Sequence, residues 1–318
     1  PDVDGITLLR EWSSSGGLDC PVVIMSGHGT VETAIEATRL GAHDFVQKPI
    51  SLARLLSIVS QALESAKSKQ KPAAAPAPSS SEPIGSSALM QVLRSKAEQA
   101  AQHELTVLIT GEKGSGRENL ARFVHEKSAQ QGDFISADLG ELTAESSRAY
   151  LLGSESEGGS RESLFEQASG GTLLLPDLQE IPDDALKVIN QVLESGQFIR
   201  EGGNEARSLA CRLIVTACDN LLDRAQTDEM LRQLYYRLNV LPLQVPPLRD
   251  RPDDVPDLVR FYAEWFPNRE NLPYRPFSVA AHNRLRNHSW PGNIRELINV
   301  VERAVLLCEG PEITLDDL

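Results

Sequence analysis

Cysteine, positive charge and long apolar runs are what this chain has least of. Its four cysteines, Cys20, Cys211, Cys218 and Cys308, share no C-x-x-C spacing and lie in or beside apolar segments. They read as reduced, mostly buried thiols and not as metal ligands. Basic residues number 31 against 45 acidic ones, a formal net charge of −14. That balance argues against a large nucleic-acid-binding surface within these residues. No run approaches the ~20 apolar residues of a membrane span, and no signal peptide opens the chain. A cytoplasmic protein without a membrane partner is expected. The first residue is Pro1, not Met, so the N-terminus reads as a cut end. With 318 residues, 41% hydrophobic and 24% charged, there is room for two soluble domains with cores of their own.

The stretch with the clearest chemistry is Gly111–Glu118, GEKGSGRE. An apolar run, Leu105–Ile109, precedes it, and a helical pattern, Asn119–Lys127, follows. Strand, glycine-rich turn and helix is the context in which such a loop cradles phosphate. Gly111, Gly114 and Gly116 permit positive φ and close approach of the backbone to an oxyanion. The amides then point inward, and the helix start adds partial positive charge. Arg117 stands where such a loop normally carries Lys, a planar fork in place of a point charge.

Residues 1–66 alternate apolar runs with helical patterns. Val22–Met25 is continuous and apolar, hence a buried parallel strand, and Asp44–Gln47 is a second strand. Thr30–Leu40 and Leu52–Ala66 read as helices, which makes this segment part of a doubly wound sheet. Residues 67–83 are Pro, Ala, Ser and Lys with nothing to bury, an extended linker. A second α/β domain opens at Ile84, with strands expected at Leu105–Ile109, Thr172–Leu175 and Arg212–Thr216. From Asp253 the pattern is helical: Val255–Trp265, Ser278–Asn287 and Gly292–Cys308, a helical lid over residues 253–310.

The segments PDVDG, SGHGTVETAIEATRLGA and HDFVQKPI resemble the receiver domain of bacterial response regulators. That resemblance implies a hydroxyl contact to a phosphoryl group at Ser26, a switch aromatic at Phe45 and a pairing lysine at Lys48. The phosphoacceptor aspartate would fall before Pro1. The segments IGSSALM, SGGTLLLPDL, LRQLYYRLNVLPLQVPPLRDR and SWPGNIRELINVVERAV, with the cradle, resemble the AAA+ domain of the NtrC family. That family activates the sigma-54 RNA polymerase, and the receiver wording is similar to its NtrX branch. The expected fold is therefore α/β: a truncated receiver, then a P-loop AAA+ domain over 84–252 with its lid. Residues 311–318 would begin the connector to a helix-turn-helix DNA-binding domain.

The resemblance implies ATP or ADP as ligand, held by Ile84, Gly85, Gly111, Glu112, Gly114, Ser115, Gly116, Arg117, Glu118, Asn119 and, from the lid, Arg295. Arg232 and Arg237 take the positions of arginines that reach a neighbouring subunit's γ-phosphate. Hydrolysis needs a magnesium-shell carboxylate and a second carboxylate to orient water. The corresponding pair here is Pro176 and Asp177. Pro offers no ligand atom, and strand alternation turns Asp177 away from the metal position unless the strand bulges. Asp138 replaces an Asn that bonds the catalytic Glu, so it would repel Asp177. Ala217 and Cys218 replace the strand-end sensor. A weakened Mg2+ site and an enzyme without turnover are the expectation. The sigma-gripping loop, GAFTGA in the family, reads GSESEGGSRES between Leu152 and Leu164, which disfavours sigma-54 as partner. The expected protein is a two-component response regulator acting on transcription. Its partners would be itself, a sensor histidine kinase and DNA. The alternatives are an active sigma-54 activator and a nucleotide-free dimerisation scaffold. Arg117 would hold phosphates or, if nucleotide were abandoned, neutralise Asp138 and Asp177; three glycines favour the first.

Overall fold

The computed structural model describes residues 22–26, 44–47, 81–139, 144–156, 159–270 and 272–318. The chain forms two compact units, Pro1–Ser79 and Ser80–Leu318. In the first unit β1 (Val23–Ser26) and β2 (Asp44–Gln47) pair in parallel, Val23 opposite Asp44. Parallel pairing is what the apolar run implied. Its burial is not borne out at Met25, which is 48% exposed. The helices expected over 30–40 and 52–66, and linker residues 67–80, lie outside the described residues. So do Lys48 and the side chains of Ser26 and Phe45.

The second unit begins with α1 (Ala88–Ala101), capped by Ser87, whose hydroxyl accepts from the Met90 amide at 3.3 Å. Next come β3 (Val107–Gly111) and α2 (Arg117–Glu126), with the cradle between them. The strand starts two residues later than its apolar run, with Leu105 exposed at 50%. The helix starts two residues earlier than its pattern, because the left-handed Gly116 (φ 106°) serves as its N-cap. β4 (Phe134–Ser136) and α3 (Ala144–Leu152) lead to an antiparallel hairpin, β5 (Ser154–Ser156) and β6 (Gly159–Arg161). Then follow α4 (Leu164–Gln167), β7 (Thr172–Leu175) and α5 (Asp183–Ser195). A second hairpin, β8 (Gln197–Ile199) and β9 (Ala206–Ser208), precedes β10 (Arg212–Ala217). α6 (Leu221–Thr227), α7 (Glu229–Leu238) and β11 (Leu241–Val245) complete the α/β part.

Five strands form one parallel sheet in the order β11-β3-β10-β7-β4. β7 and β10 are buried along their whole length, as strands covered on both faces must be. Alternate residues serve opposite cores. Leu108, Leu173, Leu175, Leu213 and Val215 pack with α3 to α7, while Val107, Ile109, Leu174 and Ile214 pack with α1 and α2. Arg212 opens β10 in a buried position, with Glu104 acting on it only through space. Its guanidinium instead donates to the carbonyls of Ala100 (2.7 Å), Ala101 (3.5 Å) and Leu105 (3.3 Å), closing the C-terminal end of α1. The lid, α8 (Val255–Glu270), α9 (Val279–Arg286) and α10 (Asn293–Leu307), has its own core around Phe266, Trp290 and Leu297.

One carboxylate ties the two hairpins together. Glu166 accepts from Arg200 at 2.8 and 3.1 Å, from Arg207 at 2.7 Å and from the Ser163 amide at 2.8 Å. Both arginines also approach Glu155 on β5, at 3.5 and 3.6 Å. Burial alone would raise the Glu166 pKa, but the Arg200 hydrogen bonds and the Ser163 cap outweigh it and lower it from 4.5 to about 2. A depressed folded-state pKa contributes stability that is complete above about pH 4.5 and lost as pH falls toward 2. Glu166→Gln should therefore lower stability at neutral pH by on the order of 2 kcal/mol and flatten the acid limb of the unfolding curve. Urea titrations at pH 7 and pH 3 would show this; equal pH dependence in both proteins would contradict it.

Candidate nucleotide-binding site

Parallel pairing gathers the carboxyl ends of β3, β7, β10 and β11 on one edge, the usual place for a ligand on such a sheet. Gly111 pairs with Val245, Thr110 with Ala217, and Leu175 with Val215. The loop after β3 rises from that edge. Gly111, Gly114 and Gly116 have φ of 155°, 76° and 106°, a run of left-handed positions that needs glycine. The Ser115 amide closes a turn onto the Glu112 carbonyl at 3.2 Å, and Gly116 O receives the first helical bond, from Leu120 at 3.0 Å. The Ser115 hydroxyl is buried and has no hydrogen-bond partner.

On one flank lie the residues after β7. The strand stops at Leu175, and Asp177 stands beyond it with φ 47° and ψ 59°, its amide bound to Thr216 Oγ1 at 2.9 Å. The alternation expected to turn Asp177 away does not apply, since Pro176 ends the ladder and the next residue is left-handed. Asp177 Oδ1 meets Arg117 Nη2 at 2.7 Å, with Arg117 only 7% exposed. Its charge is thus met by the cradle's own arginine. Gln179 steadies the pair: its Nε2 lies 3.3 Å from Asp177 Oδ1 and 3.2 Å from Cys218 Sγ, and its Oε1 accepts from the Cys218 amide at 3.1 Å. Lys113 pairs with Glu180 on the same flank, and that hydrogen bond raises the lysine pKa. The donor set suits magnesium poorly. Pro176 has no ligand atom, and Asp177 is engaged by Arg117.

The other flank is the lid. Arg249 binds Glu112 through two parallel bonds, 2.7 and 2.8 Å, and Asn293 Nδ2 adds a third at 3.0 Å. Arg249 first, then Asn293, holds the Glu112 carboxyl below its ordinary pKa. A Cβ on Gly114 would collide with the Gly292 carbonyl, so only glycine lets the lid approach this closely. Buried Arg251 donates to the Ser115 carbonyl at 2.9 Å, while buried Asp254 takes the Ser87 amide and hydroxyl at 2.7 Å each.

Of the expected ligand residues, the cradle, Arg117 and the backbone of Arg295 come together; the Arg295 side chain is exposed. Ile84 packs on the lid core, and Gly85 lies under Asp254, where any Cβ would clash. Asn119 binds the Ser81 carbonyl at 3.0 Å, and Glu118 is exposed. Arg232 and Arg237 are not brought to the cradle of their own chain. Arg237 donates to the carbonyl and side chain of Asn190 at 2.9 Å, and Arg232 pairs with Glu229. Sequence reasoning missed Arg249, Arg251, Asp254 and Asn293. Two arginines in LRDR and an Asn directly after a Trp-Pro-Gly turn were the available signals.

Comparison with known families places three matches on the chain. The response regulator receiver domain matches residues 1–60, the sigma-54 interaction domain 83–244, and the AAA+ ATPase lid domain 249–318. The chain is 34% identical to the DNA-binding transcriptional regulator NtrC of Rhizobium meliloti (strain 1021), over 99% of itself and 66% of that protein. It is 35% identical to the nitrogen assimilation regulatory protein NtrX of Azorhizobium caulinodans, over 92% of itself and 65% of that protein. It thus spans just under two thirds of the length of these relatives. The crystal structure of NtrX from Brucella abortus with ADP matches at 34% identity and TM-score 0.70, covering 99% of this chain and 73% of that one. The same protein with ATP matches at 34% identity and TM-score 0.68, covering 100% and 71%.

The Arg117–Asp177 pair yields a stability prediction. Asp177→Ala leaves a buried guanidinium without its acid and should cost up to about 3 kcal/mol. Asp177→Ala combined with Arg117→Met should recover most of that loss, as removing both partners of a buried pair often does. Thermal unfolding of the two variants checks this; an additive loss in the double variant would show that the pair is not coupled.

Proposed function

Because the chain belongs to the family that joins a response regulator receiver to a sigma-54 interaction domain, we propose that it is a two-component regulator of transcription. Its AAA+ unit binds ATP or ADP as a structural ligand and does not turn it over. The observation that carries this reading is the loop with its three left-handed glycines; the Arg117–Asp177 pair at 2.7 Å, the arrangement expected if nucleotide were abandoned, speaks against turnover and does not itself support binding. The glycines, the unpartnered Ser115 hydroxyl and the helix start suit phosphate oxygens. The acid flank does not suit a metal-assisted attack by water, since its one carboxylate at the strand end is already neutralised. NtrX of Brucella abortus, crystallised with ADP and with ATP, supports nucleotide as the ligand class.

In this reading the backbone amides of Gly114, Gly116 and Arg117 hold phosphate. Arg117 divides its fork between phosphate and Asp177, as a planar guanidinium can. Lys113, paired with Glu180, is the second cation within reach of the loop. The short β5–β6 hairpin replaces the sigma-gripping loop. The sequence across it, GSESEGGSRES over 153–163, holds no apolar side chain for a partner to bury. Regulation would then proceed through self-association and DNA contact, with a sensor histidine kinase upstream. Residues 1–66 as a receiver, 67–83 as a linker and 311–318 as the start of a connector belong to the same proposal.

Two measurements test it. ADP and ATP should bind with affinities that change less than about threefold when magnesium is replaced by EDTA, because main-chain amides need no metal. Calorimetry showing no binding of either nucleotide at millimolar concentration would leave the scaffold alternative. ATP turnover should not exceed that of an Arg117→Ala control. A turnover that magnesium stimulates and Asp177→Ala abolishes would establish the active-enzyme alternative.

A further inference from the structure

We infer that Asn293 and Arg251 are positioning residues of the phosphate cradle, holding the loop's carbonyls outward so that its glycine amides face the anion. The inference rests on the reading of this loop as a nucleotide site. Three successive carbonyls of the loop are held from the lid side. Lys113 O accepts from Asn293 Nδ2 at 3.2 Å, Gly114 O from the Arg295 amide at 3.3 Å, and Ser115 O from Arg251 Nη2 at 2.9 Å. In a trans peptide the C=O and the following N–H point in opposite directions. Fixing these three oxygens therefore turns the N–H groups of Gly114, Ser115 and Gly116 to the opposite side. The Ser115 amide is used within the loop, on Glu112 O at 3.2 Å. No main-chain carbonyl among the described residues accepts from Gly114 or Gly116, so these two donors remain for a ligand.

Both holders are themselves fixed more firmly than a packing role requires. Asn293 is fully buried at φ 56°, a left-handed position that asparagine tolerates better than other non-glycine residues. Its side chain is held at both ends. Its Oδ1 accepts from the Leu248 amide at 2.8 Å, and its Nδ2 also reaches Glu112 Oε2 at 3.0 Å. Arg251 is 2% exposed, with its nearest acid, Asp254, at 3.9 Å and its Nε without a partner. A guanidinium so thinly compensated is costly to bury. It lies against the Ser115 carbonyl, where its charge polarises the Ser115–Gly116 peptide and strengthens Gly116 N–H as a donor. Linkage follows: whatever the lid contributes to anion affinity, a bound anion returns to lid docking by the same factor.

Asn293→Gly is the discriminating variant, since glycine accepts φ 56° and loses only the amide side chain. It is compared with the full chain by calorimetry with ADP and by spectra of samples selectively 15N-labelled at glycine and, separately, at the tryptophan indole. Expected are a fall of about tenfold or more in ADP affinity, for the two lost hydrogen bonds to the loop, and shifted, faster-exchanging Gly114 and Gly116 amides before ADP is added. Wild-type glycine signals in the variant, or an unchanged ADP affinity with the lid's Trp290 indole signal intact, overturn the inference and leave the nucleotide reading standing. If the parent chain itself binds no ADP, the nucleotide reading falls and the inference with it. Should Asn293→Gly lose the Trp290 signal, Arg251→Lys replaces it. That variant keeps the charge but cannot reach both Ser115 O (2.9 Å from Nη2) and Met90 Sδ (3.0 Å from Nη1), as the guanidinium does, and the same two readouts decide.

Discussion

The site depends on how one short stretch of main chain is turned. Between Glu112 and Gly116 every carbonyl finds a donor outside the cradle or within its own turn, and that accounting orients the peptide planes. The requirement reaches far from the loop. It needs a lid close enough to touch Gly114, hence glycine there, and it needs a Trp-Pro-Gly turn that delivers Asn293. Trp290, 2% exposed and itself at φ 48°, anchors the turn through an indole bond to Leu285 O at 2.9 Å.

Charge around the loop is arranged in three ion pairs on two opposed sides. Arg117 and Lys113 face Asp177 and Glu180 on the sheet side, and Glu112 faces Arg249 on the lid side. The sheet-side cations sit where incoming phosphate would compete with carboxylates for them. The lid-side acid is committed to the lid. A triphosphate therefore meets cations that are protein-borne, whose strength falls with salt to the extent that they are exposed.

Much of this was legible in the residues. The continuous apolar runs Thr172–Leu175 and Arg212–Thr216 are the two central strands, because strands buried on both faces leave no polar alternation to misread. The glycine loop announced itself through spacing. What stayed hidden were interactions between residues far apart in sequence: Arg251 and Asn293 touch a loop 136 and 180 positions earlier, and no local pattern encodes that. Asp177 was misjudged for a different reason. Its conformation follows from where the ladder ends, and a period-2 argument carries no information past that point.

The sheet order also has a consequence for the order of events in folding. β3, which carries the cradle, is flanked by β10 and β11, whose residues lie about a hundred or more positions later in the chain. Neither neighbour exists while the N-terminal half of this unit is leaving the ribosome, and pairing across such separations closes long loops slowly. The last holder of the loop, Asn293, arrives later still. A nucleotide bound at this cradle would therefore not template early folding of this unit; it would act on the finished domain and not on its assembly.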